Sequence, residues 1–144
     1  MYHFLPLSVG QDLELVTSPT STSVVKGEAN LLRYFARRFN LFNHAQMNSE
    51  TKTALVESIV DDLSAASYGG QSVQSMIEAM LKKSKFLAFD LFTIADGFAF
   101  SLMRRSKGGN LPAILSEWMK RCVKSFDAGK FLLLFASNFS LKNA

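Results

Sequence analysis

From Leu31 onward, apolar residues return every three or four positions, in stretches that end at a glycine pair, a proline or a polar capping signal. That period puts them on one face of an α-helix, and several such stretches in a row leave helix-on-helix packing as the way to bury those faces. Leu31, Leu32, Phe35, Ala36 and Phe39 predict a helix over 28–39. Leu55, Val56, Ile59, Val60, Leu63 and Ala66 predict a longer one, capped by Ser49 and ended by Gly69-Gly70. Val73, Met76, Ile77, Met80 and Leu81 predict a third. Lys82, Lys83 and Lys85 close it, at the end where the helix dipole favours cations. Methionines at this spacing read as core filler.

Thr93-Ile94-Ala95-Asp96 has the form of a capping box, in which a threonine and a carboxylate three residues later satisfy each other's backbone amides. The helix it opens is expected to run through Phe98, Ala99, Leu102 and Met103 to Gly108-Gly109. Pro112 is expected in the first turn of the next helix, where its missing donor costs nothing, with Leu111, Ile114, Leu115, Trp118 and Cys122 as the buried stripe. A last helix is expected over about 126–137, apolar nearly all round at 131–136. The start of the chain is different. Leu13-Glu14-Leu15-Val16, a Ser/Thr-rich stretch over 17–23, and Val24-Val25 read as two short strands joined by a turn. The expected class is mainly α: a strand pair within 1–27, then a helical domain over 28–144.

With 144 residues, 48% of them hydrophobic, the chain can fill one continuous core. Cys122 is the only cysteine and His3 and His44 stand alone, so neither an internal disulfide nor a metal site is expected, and a reducing, cytoplasmic setting is. Phe4, Leu5 and Leu7 have no positively charged leader before them, and the longest apolar run is the six residues 131–136. Neither a signal peptide nor a membrane span is expected. The formal net charge of +4 leaves room for weak attraction to tRNA and other polyanions. Catalysis finds no support. Tyr2, Tyr34 and Tyr68 lack the strand-helix-strand unit in which a thiol-activating tyrosine works, and Ser18, Ser101 and Ser116 have no histidine at a useful spacing.

Two stretches resemble a known family. Val24-Val25-Lys26-Gly27-Glu28-Ala29-Asn30-Leu31-Leu32-Arg33-Tyr34-Phe35 is similar to the end of the small thioredoxin-like domain of glutathione transferases, where a strand and a turn deliver a helix. Phe86-Leu87-Ala88-Phe89-Asp90-Leu91-Phe92-Thr93-Ile94-Ala95-Asp96 is similar to their capping-box segment, which opens the sixth helix. The resemblance implies a glutathione-transferase-like helical bundle, with 1–27 a short two-stranded remnant of the thioredoxin-like half. Gly27-Glu28-Ala29-Asn30-Leu31-Leu32-Arg33-Tyr34-Phe35, together with Leu111-Pro112-Ala113 and Trp118-Met119-Lys120-Arg121-Cys122, resemble, within that superfamily, the scaffold proteins of the multi-aminoacyl-tRNA synthetase complex. Two departures bear on chemistry: no βαβ unit is expected in the residues before the strands, and Ala29 stands where glutathione-binding members look to have serine. Phe89 replaces the family's usual glycine before the capping box, which bears on the local turn and not on the helix that follows.

What the resemblance implies is therefore a scaffold domain without catalysis, cofactor or metal. It would dock aminoacyl-tRNA synthetases or other glutathione-transferase-like domains of the complex, with at most a weak attraction to tRNA and no membrane. It also implies two pairing faces. One is the helix after the strands, where Asn30, Arg33, Tyr34 and Arg37 lie off the apolar stripe. The other is the seventh helix of that fold, where Glu117, Lys120 and Arg121 lie opposite Leu111, Ile114, Trp118 and Cys122. A merely solvated face is the competing reading for each. Thr93 and Asp96 are expected to serve the fold. Two other readings stand beside the scaffold: a degenerate transferase that still binds a thiol ligand, and an elongation-factor or synthetase appendage.

Overall fold

The computed structural model describes residues 13–20, 23–44, 47, 49–106 and 111–125. Strands β1 (Glu14–Val16) and β2 (Val24–Lys26) pair antiparallel, with Leu15 opposite Val25. The Gly27 amide donates to the Leu13 carbonyl at 2.7 Å, which closes the hairpin and starts α1 (Glu28–Phe39). Helices α2 (Glu50–Gly69), α3 (Val73–Leu81), α4 (Ile94–Arg105) and α5 (Ala113–Ser125) follow. The protein is mainly helical, with, among the described residues, one short two-stranded sheet ahead of the helices.

Most boundaries lie where the local signals put them. Gly70 ends α2 in the left-handed conformation, φ +69°, that glycine adopts without penalty. Ser72 starts α3 by accepting the Ser75 amide at 3.3 Å. Two boundaries differ. α4 stops at Arg105, short of Gly108-Gly109, which lie outside the described residues. Pro112 precedes α5 instead of standing in its first turn, and its carbonyl accepts the Leu115 and Ser116 amides at 3.0 and 3.1 Å. Proline there loses no helical donor, because only its carbonyl is asked for. The helix expected over 126–137 also lies outside the described residues.

Helix α4 is the centre of the molecule and packs against α1, α2, α3 and α5. Every residue from Ile94 to Phe100 is buried, so the helix is covered on all sides and not on one stripe. Gly97 is part of the reason. A Cβ there would stand 2.9 Å from Phe42 Cε1, so the ring of the α1–α2 connection can lie on α4 only because no side chain intervenes. The Asn43 amide donates to the Phe92 carbonyl at 2.8 Å and holds that connection in place.

Three members of the expected stripes are exposed: Phe39, Leu55 and Leu111. Phe39 ends α1, Leu55 lies in the second turn of α2 beside the fully buried Val56, and Leu111 precedes α5.

Candidate docking surfaces

Asn30, Arg33, Tyr34 and Arg37 all lie on α1, but the structure divides them. Arg33 is not a solvated surface residue, contrary to the expectation from its place off the stripe. Its side chain is 14% exposed and donates to Glu57 Oε2, to the Glu57 carbonyl at 3.1 Å, to Asp61 Oδ1 at 2.7 Å and to Asn30 Oδ1 at 3.2 Å. Burial works against its charge, yet Asp61 and Glu57 outweigh burial and hold its pKa above the ordinary guanidinium value. Arg33 thus spends its planar fork on fastening α1 to α2. Arg37 joins the same cluster from outside, 3.2 Å from Glu57 Oε1, but remains 61% exposed.

A second fastening sits at the other end of the helix. Glu28 accepts from Ser101 Oγ at 2.6 Å and from Arg105 at 2.5 Å, tying the start of α1 to α4. Asn30 is exposed and donates to the Lys26 carbonyl at 3.0 Å.

What α1 leaves outside is aromatic. Tyr34, half-buried, meets Phe35 edge-on at 5.7 Å. Phe35 stacks on Phe39 at 6.0 Å and 25°, and Arg38 lies 5.9 Å above the Phe39 ring. Phe39 is 60% exposed although it lies within the apolar arc of the helix. A large ring held in one orientation by a stacked neighbour, flanked by the exposed Arg37 and Arg38, is the kind of amphipathic surface that protein interfaces favour. The signal in the sequence was Phe39 itself, read there as core.

Helix α5 offers the other face. Glu117 and Lys120 are exposed, and Arg121 is half-buried, 4.0 Å from Glu117. Its Nε is buried without a hydrogen-bond partner among the described residues.

Thr93 and Asp96 come together as the sequence implied, but with wider reach. The Asp96 carboxylate is fully buried. Its Oδ2 accepts the Thr93 amide at 3.0 Å and the Thr93 hydroxyl at 3.2 Å, and its Oδ1 accepts the Leu87 amide at 3.0 Å and Trp118 Nε1 at 3.1 Å. One side chain therefore caps α4, anchors the α3–α4 connection and holds the indole of α5. Burial raises its pKa above the ordinary carboxyl value, against the pull of those four donors. Burial, and then the charge of Asp96, also push the Cys122 thiol up, as suits a side chain packed in the core. The bond from Trp118 could not be read from spacing, since indole and carboxylate are 22 residues apart.

A groove of about 630 Å³ runs between the hairpin, the start of α1, α2 and α4, with Ala29, Tyr68, Phe98 and Leu102 among its lining residues. Among the described residues no group of histidine, cysteine and carboxylate side chains could hold a metal, and no helix is long and apolar enough to cross a membrane. Set against protein-family models and curated proteins, the sequence matches neither a family model nor any curated protein.

Proposed function

We propose that the protein is a glutathione-transferase-like scaffold domain that docks other proteins and does no catalysis. Its partners are aminoacyl-tRNA synthetases, or glutathione-transferase-like domains attached to them, in a cytoplasmic multi-synthetase complex. One observation carries the reading: the outer side of α1 ends in the stacked Phe35/Phe39 pair, with Phe39 60% exposed beside Arg37 and Arg38. An uncovered, oriented aromatic next to cations is what a hot spot requires. The synthetase class of partner rests on the resemblance of 27–35, 111–113 and 118–122 to scaffold proteins of that complex.

The test is co-purification from cell lysate, reading the partner by mass spectrometry. Arg33 is unsuited as a probe because it fastens α1 to α2. Arg37→Ser combined with Phe39→Ser should remove the synthetase or its attached domain while the melting temperature stays nearly constant. A folded double variant that keeps the partner would take this face out of the interface. Recovery of no synthetase by the native chain would sink the reading.

The groove favours a second reading, a degenerate transferase domain that holds a thiol ligand. Ala29, which has no hydroxyl to offer, lines it. Retention on immobilised glutathione with elution by free glutathione would support this reading over the scaffold, as would saturable conjugation of an electrophile.

A further inference from the structure

The Leu87 amide and Trp118 Nε1 donate to the same oxygen, Asp96 Oδ1. This shared acceptor holds the α3–α4 connection beside the middle of α5. The segments around the two donors, 82–90 and 117–124, carry six cations, Lys82, Lys83, Lys85, Lys120, Arg121 and Lys124, against two acids, Asp90 and Glu117. Their net charge equals the +4 of the whole chain, so the remaining residues sum to zero.

The five lysines are exposed, and among the described residues none of their ammonium groups meets a carboxylate. Both acids are engaged: Asp90 Oδ1 accepts the Lys85 amide at 2.9 Å, and Glu117 lies 4.0 Å from Arg121. The contrast with α1 is direct, since Arg33 and Arg37 are paired there with Glu57 and Asp61. Of the aromatics in the two segments, Phe86 and Trp118 are buried, and only the half-buried Phe89, with Lys52 6.0 Å from its ring centroid, reaches the surface, too little for a platform on which bases stack. Val123, 51% exposed, is the one exposed large apolar side chain of the two segments, too little for the apolar centre of a protein interface.

We propose that this surface binds the phosphate backbone of structured RNA without regard to sequence. Unpaired lysines supply mobile point charges that follow phosphates, and one half-buried ring is no platform for stacking a run of single-stranded bases. The choice of RNA among polyanions rests on the synthetase-complex reading. It assigns the α5 face to RNA and leaves the α1 face to protein.

The experiment is fluorescence anisotropy of the full chain with a labelled RNA duplex of about 20 base pairs and arbitrary sequence, between about 50 and 200 mM salt. Saturable binding that weakens with salt is expected. Lys82→Gln, Lys83→Gln and Lys85→Gln together should lower the affinity about 10-fold at the lowest salt and reduce the log–log salt slope by about 0.9 for each phosphate that is no longer neutralised. Lys120→Gln with Lys124→Gln should act in the same direction, and circular dichroism should show both variants folded. Phe39→Ser should leave the RNA isotherm unchanged while weakening synthetase binding, which separates a failure here from a failure of the scaffold reading. The proposal is overturned if the native chain does not bind at about 50 mM salt, or if both lysine variants bind as it does. A polyglutamate chain that competes as well as RNA would overturn it too, by assigning the surface to an acidic protein.

Discussion

Asp96 and Arg33 are both charged side chains that tie helices together, and they do so by opposite means. Asp96 is wholly buried and surrounded by neutral donors from three parts of the chain. Arg33 sits at the rim and is met by carboxylates of one helix, one of which, Asp61, is itself largely exposed. Removing the first leaves dipoles stranded away from water; removing the second leaves Asp61, which water reaches freely, and Glu57, which it reaches only in part. The interior node therefore decides whether the bundle exists. The rim node decides how α1 is seated, and with it where the aromatic surface points.

The largest expected effect tests the interior node from its far side. Trp118→Ala deletes a fully buried indole that meets Phe100 edge-on at 6.5 Å and donates to Asp96. A loss of about 3–5 kcal/mol is expected from urea titration, and a smaller loss would mean that the core collapses into the space. Asp96→Ala comes next. It strands the Leu87 and Thr93 amides and the indole N–H, some of which the emptied site lets water or relaxation satisfy, so a loss of about 2–3 kcal/mol is expected, above the roughly 1 kcal/mol of an ordinary cap. A result near that lower figure would show water replacing the carboxylate.

The same node makes a prediction about pH. The folded-state pKa of Asp96 lies above 3.8, so the folded chain holds this proton more tightly than the unfolded one. Its contribution is therefore favourable at low pH and is lost as pH rises from 3.8 to the folded value, by about 1.4 kcal/mol per unit of separation. The stability difference between the native chain and Asp96→Asn should shift in favour of Asp96→Asn across that window. A difference independent of pH would mean that the four donors cancel the effect of burial.

At the rim, Arg33→Ala should cost about 1–2 kcal/mol, because Glu57 is mostly buried and loses its best partner. Raised salt should narrow the gap between the two proteins, and a gap unmoved by salt would refute the screened-rim picture. The smallest effect is Phe39→Ser, expected within about 0.5 kcal/mol of the native chain. A loss of about 2 kcal/mol or more, of the order seen for a buried ring, would show that Phe39 is covered in solution.

Helix positions were legible because their signals are local: Gly69-Gly70 and Thr93-Asp96 act on backbone groups within about one turn of themselves. The candidate surfaces were legible only in outline. Asn30, Arg37, Glu117 and Lys120 are exposed as their place off the stripes implies. Arg33 is not, because its acceptors lie 24 and 28 residues along the chain, and nothing in the period of α1 shows which acids α2 will bring beside it. Phe39 failed in the other direction. Periodicity tells which face a residue shares, but a residue at the end of a helix can project past whatever covers that face.

By itself the amino-acid sequence determined the strand pair, most of the helix boundaries among the described residues and which residues share a face, since backbone amides and 3.6-residue periodicity act within a few positions. Only the tertiary structure decided that α4 is covered on every side from Ile94 to Phe100, that Trp118 and Leu87 meet on one carboxylate oxygen, and that Arg33 is spent within the molecule while Phe39 is left outside it. Coverage and long-range hydrogen bonding depend on which helix lies against which, and that arrangement belongs to the packed bundle as a whole.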